Sequence, residues 1–146
     1  RTATLTVTAE DLPEDANRVA LDPVRVDAAG VPAPRLSYRL GANSRRLLDF
    51  GIARASEALR AAGAVDVVVN PLSRQAGFHF LGTARMGEDP SSSVVGPDGR
   101  CHEVANLAIA DGSVFVTSGA VNPTPTIQAL ALRMADAIAA RLGREG

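Results

Sequence analysis

The chain opens on Thr2-Ala3-Thr4-Leu5-Thr6-Val7-Thr8, in which threonine alternates with Ala, Leu and Val. A period of two puts Thr on one face and aliphatics on the other, which predicts a half-buried strand over 2–8. Leu12-Pro13-Glu14-Asp15 turns the chain. Arg18 to Leu21 predicts a second strand, Pro23, Gly30, Pro32 and Pro34 interrupt regular structure, and RLSYRL at 35–40 predicts a third. The period then changes. Leu48, Ile52, Ala55, Leu59 and Ala62 recur at helical spacing, with Asn43 or Ser44 as the N-cap and Gly63 as the stop. Residues 64–69 are mostly β-branched and predict a short buried strand, ended by Asn70-Pro71.

Further on, Ser91 to Ser93 fall in an exposed loop, and a short apolar run from Leu107 to Ala110 breaks at Asp111-Gly112, where a strand would hand over to a ligand loop. The last element is a helix with Thr124 as N-cap and Pro125 in its first position. Its core-facing stripe is Ile127, Leu130, Ala131, Met134, Ile138 and Leu142, ending before Gly143. The elements sum to an α+β fold: a mixed or antiparallel sheet with covering helices, then a C-terminal strand-loop-helix.

Composition narrows the function classes. With 146 residues, 46% of them apolar, and a net charge of -1, the chain has enough material for one globular core. All fifteen basic residues are arginine, but they are scattered, so nucleic acid is not an expected partner. One cysteine, Cys101, excludes an intrachain disulfide, and one Cys with two His lacks the spacing of a zinc site, so no metal is expected. His102 beside it reads as a solvent-facing or loop histidine. No apolar run approaches the roughly 18 residues of a membrane span. The first residues lack the order of a signal peptide, which gives a cytoplasmic expectation with export left open.

The densest chemistry runs from His79 to Arg133. His79 is followed by Gly82-Thr83 and Arg85-Met86-Gly87, then Asn106-Leu107 leading to Asp111-Gly112-Ser113, then Gly119 and Asn122-Pro123-Thr124. Histidine has the right unperturbed pKa for a base near neutral pH, and Phe78, Phe80 and Leu81 around His79 predict a water-excluding setting that favours the neutral imidazole. An amide such as Asn122 can donate to a substrate oxygen without titrating. Residue by residue, plainer readings are favoured: a structural histidine, a turn at Asn122-Pro123, a turn former at Asp111. A hydrolase triad of Ser113, His79 and Asp111 lacks the GxSxG elbow.

Taken together, these linked motifs resemble the C-terminal signature of the glucose-methanol-choline (GMC) family of flavin oxidoreductases. The stretches FHFLGTARMG and AVNPTPT are similar to the pyranose oxidase, fructose and gluconate dehydrogenase side of that family. The resemblance implies oxidation of a CH–OH group of a small alcohol or sugar by hydride transfer to flavin N5. It makes His79 the base and Asn122 its partner on the substrate oxygen. It sets Asp111 and Gly112 against FAD, chiefly through backbone, and Asn122, Pro123 and Thr124 beside the flavin ring. There the start of the last helix offers unpaired NH groups and a positive dipole end. Arg85 and Met86 would brace the His79 loop.

The family's N-terminal GxGxxG, which cradles the pyrophosphate, does not occur in these residues. The chain therefore reads as a C-terminal part, inactive in isolation, that needs an N-terminal FAD-binding half or a companion chain. Residues 1–75 would give the substrate-domain sheet and helix, and 76–146 the catalytic loop and flavin-contacting segment. Apolar faces made for the absent half should then lie exposed. The rival expectation is a non-catalytic assembly or scaffold subunit, or a degenerate remnant.

Overall fold

The computed structural model describes residues 1–72, 79–119 and 121–145. Phe78, and the expected division between 75 and 76, lie outside the described residues. The fold is α+β: strands β1 (Arg18–Val26) and β2 (Pro32–Ser37), helix α1 (Ala42–Ala61), a single 3-10 turn at Gly112–Val114, and helix α2 (Thr124–Glu145).

β1 and β2 form a two-stranded antiparallel ribbon, Val19 opposite Leu36 and Leu21 opposite Pro34, with a register shift between Leu21 and Val26. β1 is longer than the sequence pattern predicts and β2, as long as expected, begins three residues earlier, so that the strands include Pro23, Pro32 and Pro34. Proline is tolerated because each strand has an unpaired edge that needs no NH. At the irregularity Asp22 does the work of the missing ladder: its Oδ1 accepts from the NH of Val24 (2.9 Å) and of Arg25 (2.8 Å). Those bonds, Arg25 first, hold the Asp22 carboxyl below its usual range. Asp27 makes the hairpin turn in the same way, accepting from Ala29 and Val31, while Gly30 takes the left-handed conformation at φ +80°.

Residues 2–8 are not a strand. Their alternation is real, but a strand needs a partner ladder and no described residue supplies one. The segment instead runs over α1, with Val7 so close that a Cβ on Gly51 would lie 2.6 Å from it. Leu12 NH donates to the buried Ser44 Oγ at 3.2 Å. Ser44 is thus spent inside the helix, not at its cap. Gly41 is the N-cap, with no side-chain bond, which corrects the expectation of Asn43 or Ser44. The far end follows the sequence closely. Gly63, at φ +91°, donates to Arg60 O and Ala64 to Leu59 O, the paired bonds of a Schellman stop. Leu48, Ile52, Ala55 and Leu59 are half-buried along one side, whereas Ala62 is exposed. The expected strand at 64–69 is absent, and Val65 and Val68 are open to solvent.

Tyr38 ties the N-terminal segment to the ribbon, its hydroxyl donating to Asp11 Oδ2 at 2.6 Å. Asn17 adds two bonds across the same junction, accepting from Arg39 NH and donating to Arg39 O. Partial desolvation of the hydroxyl, then the Asp11 bond and the negative charges of Asp11 and Glu14, push Tyr38 up to about 12. A raised pKa means that the neutral phenol is favoured by the fold. Its contribution to stability is therefore present below the unfolded value of about 10 and lost as pH rises through the folded value. Tyr38 is the single tyrosine of a chain without tryptophan. A phenolate absorbance titration of this chain should give a midpoint near 12, and Asp11→Asn should lower it; equal midpoints would show that Asp11 does not hold the proton.

The core lies in the second half. Val95, Val114, Phe115 and Met134 are buried together, with Leu81, Met86, Cys101, Ile109, Ile127 and Leu130 packed around them. Here α2 contributes the stripe read from its sequence, Met134 at its centre, although Leu142 is exposed and Gly143 does not end the helix. The helix begins one residue earlier than expected. Pro123 O accepts from Ile127 NH at 2.9 Å, so Thr124 is already the first helical residue. The run 107–110 makes only an isolated bridge, Ala108 to Arg100.

Candidate active site

Residues 81–87 are held on both sides by backbone bonds. Ala84 NH donates to Ser113 O and Met86 NH to Val114 O, while Gly87 NH donates to Val95 O and Val94 NH to Arg85 O, all at 2.9 Å. At the start of this segment Gly82 NH donates to Gly112 O at 3.3 Å, and Gly82 itself turns at φ +82°. Gly112 is where the chain comes close: a Cβ there would meet Leu81 Cδ2 at 2.7 Å and Ile127 Cδ1 at 3.2 Å. Leu81 and α2 therefore pack directly against Gly112.

Asp111 caps the 3-10 turn, its Oδ1 accepting from Ser113 NH at 2.8 Å. Hydrogen bonds from Ser113, side chain and then backbone, hold the carboxyl below its usual range. Its carboxylate is therefore engaged locally.

Asn122 and Pro123 line an open cleft of about 400 Å³ with Met86, Phe115, Val116, Thr117, Ser118, Gly119, Val121, Thr126 and Leu130. Its lining combines apolar side chains with hydroxyl and amide side chains. Pro123 is buried, while Asn122 and Thr124 are exposed, Thr124 standing outside the cleft lining. His79 is not among the lining residues either. It is exposed, as is Phe80, which corrects the expectation of a water-excluding apolar setting in this chain. Among the described residues His79 alone combines a side chain with positive φ, at +60°. That conformation disfavours L side chains by roughly 1–2 kcal/mol, and His is one of the residue types found there more often than most.

The structure thus brings the His79 loop, Asp111-Gly112 and the start of α2 into mutual contact through Leu81, Gly112 and Ile127. It does not bring the His79 ring into the Asn122 cleft. Sequence reasoning missed Met86, Phe115, Thr117, Ser118 and Thr126 as cleft residues. For Thr126 a signal existed, since it falls in the first turn after Asn122.

Among the described residues, Arg85 bonds away from the His79 loop. Its Nε and Nη2 donate to Ser92 O (3.1 and 2.8 Å) and its Nη1 to Asp15 Oδ1 (3.3 Å). His102 lies in a loop as expected but is half-buried, with Nε2 2.9 Å from Ser93 Oγ. Among the described residues no cluster of His, Cys, Asp and Glu could hold a metal ion, and no helix is long and apolar enough to cross a membrane. Large apolar side chains do lie open, among them Leu21, Val24, Leu36, Phe80, Val121 and Leu132.

Comparison with known proteins adds an independent finding. A family model described as GMC oxidoreductase matches residues 13–131. The 2-methyl-1,2-propanediol dehydrogenase of Mycolicibacterium austroafricanum is 45% identical over 136 residues, covering 90% of this chain and 24% of that protein. The fructose dehydrogenase large subunit of Gluconobacter japonicus is 36% identical over 129 residues, 88% of this chain and 24% of that protein. The C-glycoside 3-oxidase of Arthrobacter globiformis is 41% identical over 140 residues, 92% and 26% respectively. The chain spans about a quarter of the length of these relatives.

Proposed function

The chain belongs to the GMC oxidoreductase family, and on that premise we propose that the complete protein oxidises a CH–OH group of a small alcohol or sugar with FAD. The observation that carries this reading is the convergence of the His79 loop, Asp111-Gly112 and Asn122-Pro123 on the first turns of α2. Relatives named for a diol, for fructose and for a C-glycoside all act on hydroxylated molecules by name, which supports the substrate class.

The cleft fits one side of a flavin in the chemistry of its lining. Met86, Phe115, Val116, Val121 and Leu130 offer an apolar wall to a flat ring, and Thr117, Ser118, Asn122 and Thr126 offer hydrogen bonds to its polar edge. Asn122, Pro123 and the backbone at Asp111-Gly112 are the residues we assign to the cofactor, with Thr124 contributing through its NH at the helix start. FAD, when bound, supplies the acceptor for the hydride that leaves carbon. His79 takes the hydroxyl proton at an imidazole nitrogen, and the Asn122 amide donates to the oxygen on which charge develops. The unpaired NH groups of the first turn of α2 favour negative charge in front of them. His79 is exposed here, so the water exclusion that this chemistry needs comes from outside the described residues, for which the open apolar side chains are suited.

The test is anaerobic mixing of the complete, FAD-loaded polypeptide with a panel of sugars and small diols. Bleaching of the flavin absorbance by at least one of them is expected. A protein that holds FAD and is bleached by dithionite but by no member of the panel would remove this reading.

A further inference from the structure

We propose that Arg85 and His102 are positioning residues that clamp the loop of residues 88–93 and thereby fix Gly87 and, beside it, Met86 in the wall of the cleft. The inference rests on the proposed reading of that cleft only for its catalytic consequence; the clamp itself follows from the bonds.

The loop is held from two sides. On one, the Arg85 guanidinium spans two acceptors at once, Ser92 O through Nε and Nη2, and Asp15 Oδ1 through Nη1. On the other is Ser93. Its Oγ lies 2.6 Å from Asp89 O, a carbonyl that can only accept, so the single hydroxyl proton is committed there. The 2.9 Å contact with His102 Nε2 therefore has the ring as donor. Asp89 closes the loop on itself, its carboxylate accepting from Ser91 NH and Oγ.

What the loop presses on is Gly87. A Cβ there would come within 3.0 Å of Ser93 Cβ and 3.2 Å of its Oγ, so the loop seats directly on this backbone. Arg85 O and Gly87 NH bond on to Val94 and Val95, and Met86 NH to Val114. Met86, between them, lines the cleft. Displacing the loop thus frees one side of the segment that carries Met86. Lysine at 85 would keep the charge but, as a point donor, could not hold Ser92 O and Asp15 together. Glutamine at 102 carries an NH2 group in place of the Nε2 donor and should restore the Ser93 bond.

The experiment compares Arg85→Lys, His102→Ala and His102→Gln in the complete polypeptide by amide hydrogen exchange and by flavin reduction. Arg85→Lys and His102→Ala should each speed exchange at the Met86 and Gly87 amides roughly tenfold, the loss of one charge-assisted or part-buried bond, with α2 unchanged. Flavin reduction should slow several-fold at unchanged FAD content, and His102→Gln should restore both readouts. Unchanged exchange at Met86 and Gly87, an equal rise across α2, or failure of His102→Gln to restore them would each overturn the clamp. If no substrate reduces the flavin of the unsubstituted protein, the proposed function fails, and the exchange pattern still decides the clamp.

Discussion

Replacing His79 by alanine should lower the rate of flavin reduction by roughly 10²–10⁴-fold, the span typical for removing a general base, while FAD stays bound. The cofactor contacts we assign lie at Asp111-Gly112 and at the start of α2, and none uses the imidazole. The residue's surroundings also make the experiment interpretable. His79 is exposed, so alanine leaves no cavity. Its φ of +60° disfavours alanine somewhat more than histidine, a type found there more often, so a small backbone cost accompanies the loss of the ring. His79→Gly removes that penalty as well as the ring. Equal inactivity of the alanine and glycine variants, with normal visible spectra, would assign the loss to the imidazole, whereas activity recovered in the glycine variant would assign it to loop conformation. Reduction at the normal rate in His79→Ala would take His79 out of the chemistry.

How much of this was legible in the sequence depends on where each residue's partner lies. Gly63 could be read as a helix stop because every group in its Schellman bonds is within five residues of it. The stripe on α2 was equally local, and it found Met134 at the core. The alternation at 2–8 was misleading because a period of two states only that a strand would be amphipathic, not that a neighbouring ladder exists. Residues 64–69 failed for a related reason: β-branching suits a buried strand, but Val65 and Val68 have nothing described to bury them. In the candidate site, Asp111 as a turn former and Asn122 before a helix were readable from type and spacing. Arg85 and His102 were not, since their acceptors are a carbonyl seven residues away, a carboxylate seventy away and a hydroxyl nine away, and no pattern in side-chain chemistry marks a backbone carbonyl. The packing of Leu81 and Ile127 against Gly112 was equally out of reach, since neither neighbour is marked by local sequence.

Gly99→Ala should be the most damaging single-atom change to the fold. Gly99 closes the Gly96-Pro97-Asp98-Gly99 turn, donating to Gly96 O at 2.9 Å and accepting from Ile109 NH at 2.8 Å, at a φ of +78°. A Cβ there would lie 2.7 Å from Met134 Sδ and 2.9 Å from Ile109 O. The sulfur sits on a flexible side chain, but Met134 is wholly buried and the carbonyl is backbone, so neither can yield without moving α2 or breaking the turn. Gly63 supplies the control, because its φ of +91° carries the same conformational requirement with nothing within 4 Å of a Cβ. Gly63→Ala should therefore cost roughly 1–2 kcal/mol from backbone conformation alone. Gly99→Ala should cost that plus roughly 1–3 kcal/mol of overpacking. Parallel urea unfolding of the two variants measures the difference directly, and equal losses would mean that α2 can lift from the turn freely. Because α2 reaches from Met134 back to Leu130 and Thr126 in the cleft, a helix displaced at Gly99 should also hold FAD less well, whereas Gly63→Ala should leave FAD content unchanged.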